Sequence, residues 1–265
     1  MDVELHVVDT AKDDEDGLAN TIPLIILHGL LGSADNWRSH IKHWQSTRRV
    51  IALDLRNHGR SAHAKGMGYD AMARDVFNAL DRLGIERFDL LGHSMGGKVA
   101  MTMARRIPTR IEHLVVADIA PITYAHGHDD IFTAMRRVEE EKPKNRREAD
   151  SIMADIIEHQ ATRMFLMTNL VRNEQGEMSW RVGLDNIIKD YDSIASAPEG
   201  TNAYEGKALV LRGGLSDYVN DDTLMAVKQV LPHAKIVTLE EAGHWLHAEQ
   251  PERFQKEIDT FLNEK

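Results

Sequence analysis

The segment FDLLGHSMGGKV, residues 88–99, is the most informative part of the chain, because in it a short apolar run is followed directly by a G-x-S-x-G pentapeptide at residues 92–96. Beyond it, Val99, Met103 and Ile107 recur four positions apart, which indicates an amphipathic helix. A strand, a sharp turn and a helix in this order lift a serine oxygen out of a sheet toward a substrate. The stretch therefore predicts Ser94 as a nucleophile. The plainer alternative is a glycine-rich turn with an incidental serine.

Strand and helix patterns alternate through most of the chain. Short runs that are continuously apolar or rich in β-branched residues are typical of strands covered on both faces of a parallel sheet. They lie at residues 22–27, 50–55, 88–91, 114–117, 208–211 and 235–239. Helical periods separate them, and we expect the last helix to begin at Pro251. This alternation predicts an α/β fold with a mostly parallel, doubly wound sheet.

Residues 122–205 interrupt this rhythm. They hold helix-like stretches at 131–141, 149–160 and 162–171 and a turn at 173–176, without a clear strand–helix pair. Because a segment of this length is too long for a loop, we expect a helical insertion over one edge of the sheet, with residues 1–121 and 206–265 forming the core domain. Its methionines either line a ligand cavity or pack the insertion's own core, and the pattern leaves both open. They are Met135, Met153, Met164, Met167 and Met178.

A serine nucleophile needs a base to accept its proton. In chains with this elbow the order is serine, acid, histidine. His244 lies on the loop after the predicted strand at 235–239, at the carboxyl edge of the sheet where α/β active sites assemble. We therefore expect His244 to be the base. His247 is expected to be structural or supporting, and His93 to position the turn.

A second histidine cluster raises the question of a metal. His126 and His128 precede Asp129 and Asp130, and histidines and carboxylates are common zinc ligands. A His-x-His followed by acids on a loop is more typical of a solvated turn. We expect neither a metal nor an organic cofactor.

Two loops are expected to complete the site. HGLLG, residues 28–32, follows the first buried strand. The backbone N–H of Leu30 is the expected donor to a developing oxyanion, together with the N–H of Met95 at the amino end of the elbow helix. DLRNHGRS, residues 54–61, follows the next strand. It is too polar for a core element, and we expect it to brace the loops around the site.

Composition excludes several function classes. The 265 residues include no cysteine, which removes disulfides, thiolate metal sites and a cysteine nucleophile. A formal net charge of −10 argues against binding to nucleic acid or to an anionic membrane. The amino terminus lacks a secretory pattern, and no apolar run approaches the roughly 20 residues that span a bilayer. We expect a soluble cytoplasmic protein that acts on a small molecule; its oligomeric state stays open.

These motifs occur in the order and spacing of the α/β-hydrolase family, and the chain resembles the small bacterial YbfF-type esterases in particular. The likeness rests on RNHG at 56–59, GHSMGGK at 92–98, DIAP at 118–121 and GHW at 243–245. It spans nearly the whole chain and is weakest in the insertion. It implies Ser94 as nucleophile, His244 as base and residues 122–205 as a cap over the substrate pocket. Serine at the elbow separates the chain from the dehalogenases and epoxide hydrolases of the family, which place aspartate there.

The acid has two candidates. Most family members carry it after the strand at 208–211, on the third residue beyond a glycine: counting from Gly213 gives Ser216, and counting from Gly214 gives Asp217. The other position used in the family follows the strand after the elbow helix, where Asp118 ends an apolar run. A buried carboxylate needs a partner, and YbfF-type proteins resemble this second arrangement. We favour Asp118 over Asp217.

Together these features predict a serine carboxylesterase that hydrolyses short to medium acyl esters through an acyl-enzyme. A thioesterase, a lactonase or a non-hydrolytic lyase on the same residues is the alternative reaction. A slow or inert ligand-binding homologue is the alternative class.

Overall fold

A computed structural model describes residues 2–13 and 21–264. Its strands are β1 (Val7–Asp9), β2 (Leu24–Leu27), β3 (Val50–Leu53), β4 (Phe88–His93), β5 (Ile111–Ala117), β6 (Leu170–Arg172), β7 (Met178–Trp180), β8 (Lys207–Gly213) and β9 (Lys235–Leu239). Seven of them form one sheet in the order β1-β3-β2-β4-β5-β8-β9. Every pair in that sheet is parallel except β1 with β3. The predicted α/β fold with a mostly parallel sheet is confirmed.

The helices are α1 (Arg38–Trp44), α2 (Tyr69–Arg82), α3 (Met95–Arg106), α4 (Asp129–Glu141), α5 (Arg146–Ala154), α6 (Gln160–Met167), α7 (Leu184–Lys189), α8 (Tyr191–Ala195), α9 (Leu224–Val230), α10 (Leu246–Glu249) and α11 (Pro251–Leu262). As predicted, α11 begins at a proline, whose missing N–H costs nothing in the first turn. Across residues 2–13 and 21–264, no helix has the length and apolar character needed to cross a bilayer.

Both faces of the sheet are covered by helices, which explains why its strands are continuously apolar. Successive side chains of a strand point to opposite faces. In β2, Ile25 and Leu27 join the core that includes residues of α2 and α3, whereas Leu24 and Ile26 join the core that includes residues of α1 and α11. The alternation buries every residue of β2.

β1 was not predicted from the sequence. β1 has only three residues, all half-buried, and forms one edge of the sheet. It pairs antiparallel with β3, and Val7 lies opposite Leu53. So short a run at the edge of the sheet leaves no apolar pattern long enough to recognise.

Residues 122–205 contain α4 to α8 together with β6 and β7, which form a two-stranded antiparallel sheet. The expectation of helices without strands is therefore wrong here. The predicted helix at 162–171 ends at Met167, and the predicted helix at 149–160 ends at Ala154. The N–H of Gly176 donates to the carbonyl of Asn173 at 3.0 Å in the predicted turn, which reverses the chain and lets β6 pair with β7. The division into core and cap domains stays a prediction.

The order of the strands brings the candidate loops together. β2 lies between β3 and β4. After β2 the chain continues to β3 on one side of it, whereas the later strands β4, β5, β8 and β9 extend the sheet on the other side. Loops at such a switch point form a crevice. Leu27 pairs in register with Gly92, and His93 pairs with Ala117. The segments after β2, β4 and β5 therefore leave the sheet side by side.

Candidate active site

Ser94 sits at the bend between β4 and α3. Its backbone has a φ of 52°, in the left-handed region that side chains rarely adopt. A Cβ added to Gly92 would collide with the carbonyl of Gly96, and one added to Gly96 would collide with the carbonyl of Leu27. The glycines are therefore required by the close approach of strand and helix, and the bend leaves the serine at the amino end of α3.

His244 lies between Ser94 and Asp118. Its Nε2 is 3.0 Å from Ser94 Oγ, and its Nδ1 is 2.8 Å from Asp118 Oδ2. Because a carboxylate only accepts, the Nδ1–H donates to Asp118 and leaves Nε2 free to accept from the serine hydroxyl. The geometry brings together the three residues that the sequence analysis selected from distant parts of the chain.

Asp118 is fully buried at the end of β5 and its carboxylate is held from several sides. Its Oδ1 accepts from the backbone N–H of Gly213 at 2.9 Å. Its Oδ2 accepts from the Ser216 hydroxyl as well as from His244. Such bonds compensate the cost of burying a charged group.

Asp217, the alternative acid, is exposed. Its backbone carbonyl accepts from the Asn220 side chain at 3.3 Å, and its carboxylate has no hydrogen bond to the described residues. Counting from Gly213 reaches Ser216, which contacts Asp118. No role for Ser216 was predicted, although a hydroxyl at a position where most family members carry the acid is a signal that could have indicated one.

The loop after β2 presents backbone donors beside the serine. His28 Nε2 accepts from the N–H of Leu55 at 2.9 Å, so its Nδ1–H donates to the carbonyl of Gly29 at 2.7 Å, which fixes the ring. Within the described parts of the chain, the N–H groups of Leu30 and Met95 donate to no other protein group. Both residues line a small cavity that also reaches Ser94.

Apart from the exposed Arg60, the loop at 54–61 is buried, so the expectation that it is too polar for the core is wrong. Several of its polar groups pair with groups elsewhere in the protein, whereas the buried Nε2 of His58 has no partner among the described residues. Arg56 donates to both oxygens of Asp75, at 2.6 and 2.8 Å, and Asp54 Oδ1 accepts from the N–H of Ala34 at 2.7 Å. The loop also supplies the Leu55 N–H that fixes His28. It therefore connects the interior to the loop after β2.

Two further histidines pack around His244. His93 Nε2–H donates to the backbone carbonyl of His244 at 2.8 Å, and burial keeps the pKa of His93 well below its usual value. His247 stacks on Trp37 with 4.6 Å between ring centroids, and burial lowers its pKa to about 3. Both rings are therefore neutral near pH 7.

The largest apolar cavity at the site has a volume of about 570 Å³ and reaches Ser94 and His244. Its walls come from the loop after β2, from α6 and from the segment around Trp245. Of the five methionines in residues 122–205, the side chain of Met164 lines this cavity. The other four are buried in the main core, which favours the interpretation that they pack the interior.

A second, smaller cavity of about 60 Å³ also reaches Ser94, and its wall includes four tyrosines: Tyr69, Tyr124, Tyr191 and Tyr218. Lys98, on α3, lies beneath it and donates to the carbonyls of Ala195 and Ser196 at 3.1 and 2.6 Å. Burial lowers the pKa of Lys98 to about 7. The hydrogen bonds of Lys98 therefore link α3 to the end of α8.

His126 and His128, the histidines considered as metal ligands, contact two different residues. His126 Nε2 is 2.7 Å from the exposed carboxylate of Asp192, and His128 Nδ1 is 2.5 Å from the hydroxyl of Tyr191. Asp129 and Asp130 begin α4. Over residues 2–13 and 21–264, no three histidine or carboxylate side chains are grouped as metal ligands would be.

Comparisons with known proteins identify the family and the fold. A family model described as the alpha/beta hydrolase fold matches residues 22–251. The zebrafish (Danio rerio) protein named sn-1-specific diacylglycerol lipase ABHD11 is 38% identical over 263 residues, which cover 96% of this chain and 83% of that protein. Esterase YbfF of Escherichia coli K12 is 34% identical over 246 residues, which cover 92% and 94%. A solved structure described as a marine microorganism esterase has a TM-score of 0.92 and 37% identity, covering 98% of this chain and 99% of its own.

Proposed function

The chain belongs to the alpha/beta hydrolase family, whose curated relatives include named esterases and lipases, and we propose that it is a serine carboxylesterase acting on short to medium acyl esters. Ser94 is the nucleophile, His244 the general base and Asp118 the acid that orients it. The observation that carries the proposal is the continuous set of hydrogen-bond distances from Ser94 Oγ through the His244 ring to Asp118 Oδ2, 3.0 and 2.8 Å.

The first half of the reaction forms an acyl-enzyme. Ser94 Oγ attacks the ester carbonyl carbon while its proton passes to His244 Nε2. The carbonyl oxygen becomes an oxyanion beside the backbone N–H groups of Leu30 and Met95, each worth typically 3–4 kcal/mol of barrier. The imidazolium then gives its proton to the leaving alkoxide, and alcohol departs.

The second half releases the acid. Water attacks the acyl carbon as His244 takes one of its protons, a second oxyanion forms at the same donors, and the proton returns to Ser94 Oγ as the bond to the acyl group breaks. Asp118 orients the His244 ring and stabilises the imidazolium in each half. These steps use only groups of the chain and water.

Residues 122–205 act as the cap in this proposal. α6 forms part of the wall of the 570 Å³ cavity, and apolar walls with a few polar groups suit a small-molecule ester. The acyl chain would lie among Leu31, Phe165 and Trp245. A cytoplasmic location stays a prediction of the sequence.

The proposal is tested by comparing matched p-nitrophenyl butyrate, butyryl thioester and γ-butyrolactone substrates, and by labelling with a fluorophosphonate. We expect the oxygen ester to be hydrolysed with the highest kcat/KM and the probe to add to Ser94, as peptide mass spectrometry reports. Preference for the thioester or lactone would change the reaction assigned. Absence of both turnover and labelling would indicate a binding protein.

A further inference from the structure

The proposed mechanism leaves one close contact of the general base unused. The ring of Tyr218 stacks on the imidazole of His244, with 3.9 Å between centroids and 20° between planes. Asp118 and Ser94 contact the two nitrogens in the plane of the imidazole. Tyr218 therefore covers one face of the base in a near-parallel stack, whereas the His93 ring packs against the imidazole at a tilt of 38° with 4.9 Å between centroids.

Several contacts hold Tyr218 in place. Its backbone N–H is 3.3 Å from Ser216 Oγ, and its carbonyl accepts from the Tyr124 hydroxyl at 2.6 Å. The rings of Tyr124 and Tyr218 also pack together, 5.2 Å apart. Because Ser216 also bonds Asp118, one turn after β8 positions both the acid and the ring.

We propose that Tyr218 is a positioning residue whose ring fixes the plane of His244 and stabilises its protonated form during acyl transfer. The inference rests on the proposed function. The face of a phenol ring carries negative charge density and attracts a cation stacked on it. His244 becomes a cation only after Ser94 gives up its proton, so the contact strengthens in the transition state and raises kcat rather than substrate affinity.

Asp118 is the carboxylate that stabilises a protonated His244, and the other titratable groups around the ring are histidines. Asp118 faces it from β5, while His93 from the elbow, His128 from the segment before α4, and His247 from α10 are close enough to interact with it electrostatically. Burial lowers the pKa of these three histidines, to about 4 for His128 and about 3 for His247. They are neutral in the working range. Burial also raises the pKa of Tyr218, which keeps the phenol neutral.

The experiment separates the ring of Tyr218 from its hydroxyl. Tyr218→Phe keeps the aromatic face, and we expect kcat within about twofold of the parent. Tyr218→Leu removes it, and we expect kcat to fall about 5- to 30-fold with KM within about threefold, as a cation–π contact of ordinary strength implies. Without the ring the imidazolium is less stable, so the acidic limb of the kcat/KM profile should move to lower pH by about half a unit or more. Leu215→Ala, exposed on the same turn, is the matched control and should change neither quantity.

A second measurement covers the case in which Tyr218→Leu folds poorly. Phenylalanine and its mono-, di- and trifluorinated forms at position 218 keep the shape while withdrawing charge from the face. We expect kcat to fall stepwise with fluorination. A flat series, an unchanged leucine variant, or equal losses in the phenylalanine and leucine variants overturns the role of the ring. Ser94→Ala, assayed alongside, separates the proposals: if it is inactive and the series is flat, only the role of Tyr218 fails, whereas retained activity overturns the proposed function as well.

Discussion

Ser94 and Asp118 both have positive φ angles, 52° and 51°, at the carboxyl ends of the adjacent strands β4 and β5. Such a conformation costs a residue with a side chain about 1–3 kcal/mol. Neighbouring backbone holds each one: the N–H of Ser94 donates to Ala117 at 3.0 Å, and the N–H of Asp118 donates to Leu211 at 2.8 Å. The sheet thus imposes both bends, which leave the two side chains on either side of His244.

The identity of the acid can be tested by two matched substitutions. Asp118→Asn places an amide where His244 Nδ1–H needs an acceptor, and we expect kcat to fall about 10⁴-fold because the wrong tautomer is favoured. Asp217→Asn changes an exposed side chain of the same type and should leave kcat within about twofold. Steady-state hydrolysis of p-nitrophenyl butyrate measures both. Similar losses in the two variants would contradict the assignment.

His93 offers a test of how the loop with the general base is held. His93→Leu removes the bond to the His244 carbonyl and leaves that carbonyl without its partner, which costs about 1–3 kcal/mol when the group is buried. We expect kcat/KM to fall about tenfold. Glutamine carries an N–H near the position of imidazole Nε2, so His93→Gln should recover most of the loss. If both variants are equally impaired, the donated hydrogen bond is not what matters.

Buried histidines predict acid sensitivity of the fold. The pKa of His247 is about 3 in the native protein and about 6.5 in an unfolded chain. Between these values the unfolded state binds more protons, so the free energy of unfolding falls as the pH falls below 6.5. At pH 5 this single group accounts for about 2 kcal/mol.

Urea unfolding at pH 7.5 and pH 5 measures this loss. His247→Phe keeps an aromatic ring against Trp37 and removes the titration, so the variant should lose about 2 kcal/mol less between the two pH values than the parent does. His126→Gln, at an exposed position, is the control and should behave like the parent. An unchanged pH dependence in His247→Phe would show that the ring does not stay neutral in the fold.

The acyl pocket can be tested by filling it. Ala161 lies on α6 and lines the 570 Å³ cavity. Ala161→Trp should reduce kcat/KM for p-nitrophenyl octanoate about tenfold or more, because the octanoyl chain needs the space that the tryptophan side chain occupies. For p-nitrophenyl acetate, kcat/KM should change less than about twofold. Ala154→Trp, the same change on the exposed surface of α5, is the control. A parent enzyme that strongly prefers acyl chains longer than octanoyl would contradict the expected range.

Sequence patterns predicted the sheet and the elbow because both depend on local features. A run such as residues 114–117 has few alternatives to a buried strand, and the glycines at 92 and 96 are required by contacts within one strand–helix unit. The resemblance to the YbfF-type esterases is confirmed by the 34% identity to the Escherichia coli protein. Two grounds favour Asp118: a carboxylate at the end of a buried run needs a partner, and the YbfF-type esterases resemble this arrangement.

Other features depend on distant residues and escaped prediction. The burial of Arg56 follows from its pairing with Asp75, 19 positions away on α2, and no pattern within residues 54–61 reveals it. The hairpin of β6 and β7 depends on three-residue strands, each too short to show alternation. The contact of Tyr218 with His244 joins two loops after neighbouring strands, and only the shape of both turns determines it.

Every step of the proposed reaction depends on the transfer of the acyl group to Ser94, and a stopped-flow burst experiment measures that transfer. With p-nitrophenyl acetate in excess, the parent should release about one equivalent of p-nitrophenol per protein at once, followed by slower turnover, as an acyl-enzyme requires. Ser94→Ala should show no burst and a turnover reduced by about 10⁶. A variant that retains the burst, or most of the steady rate, would contradict the account.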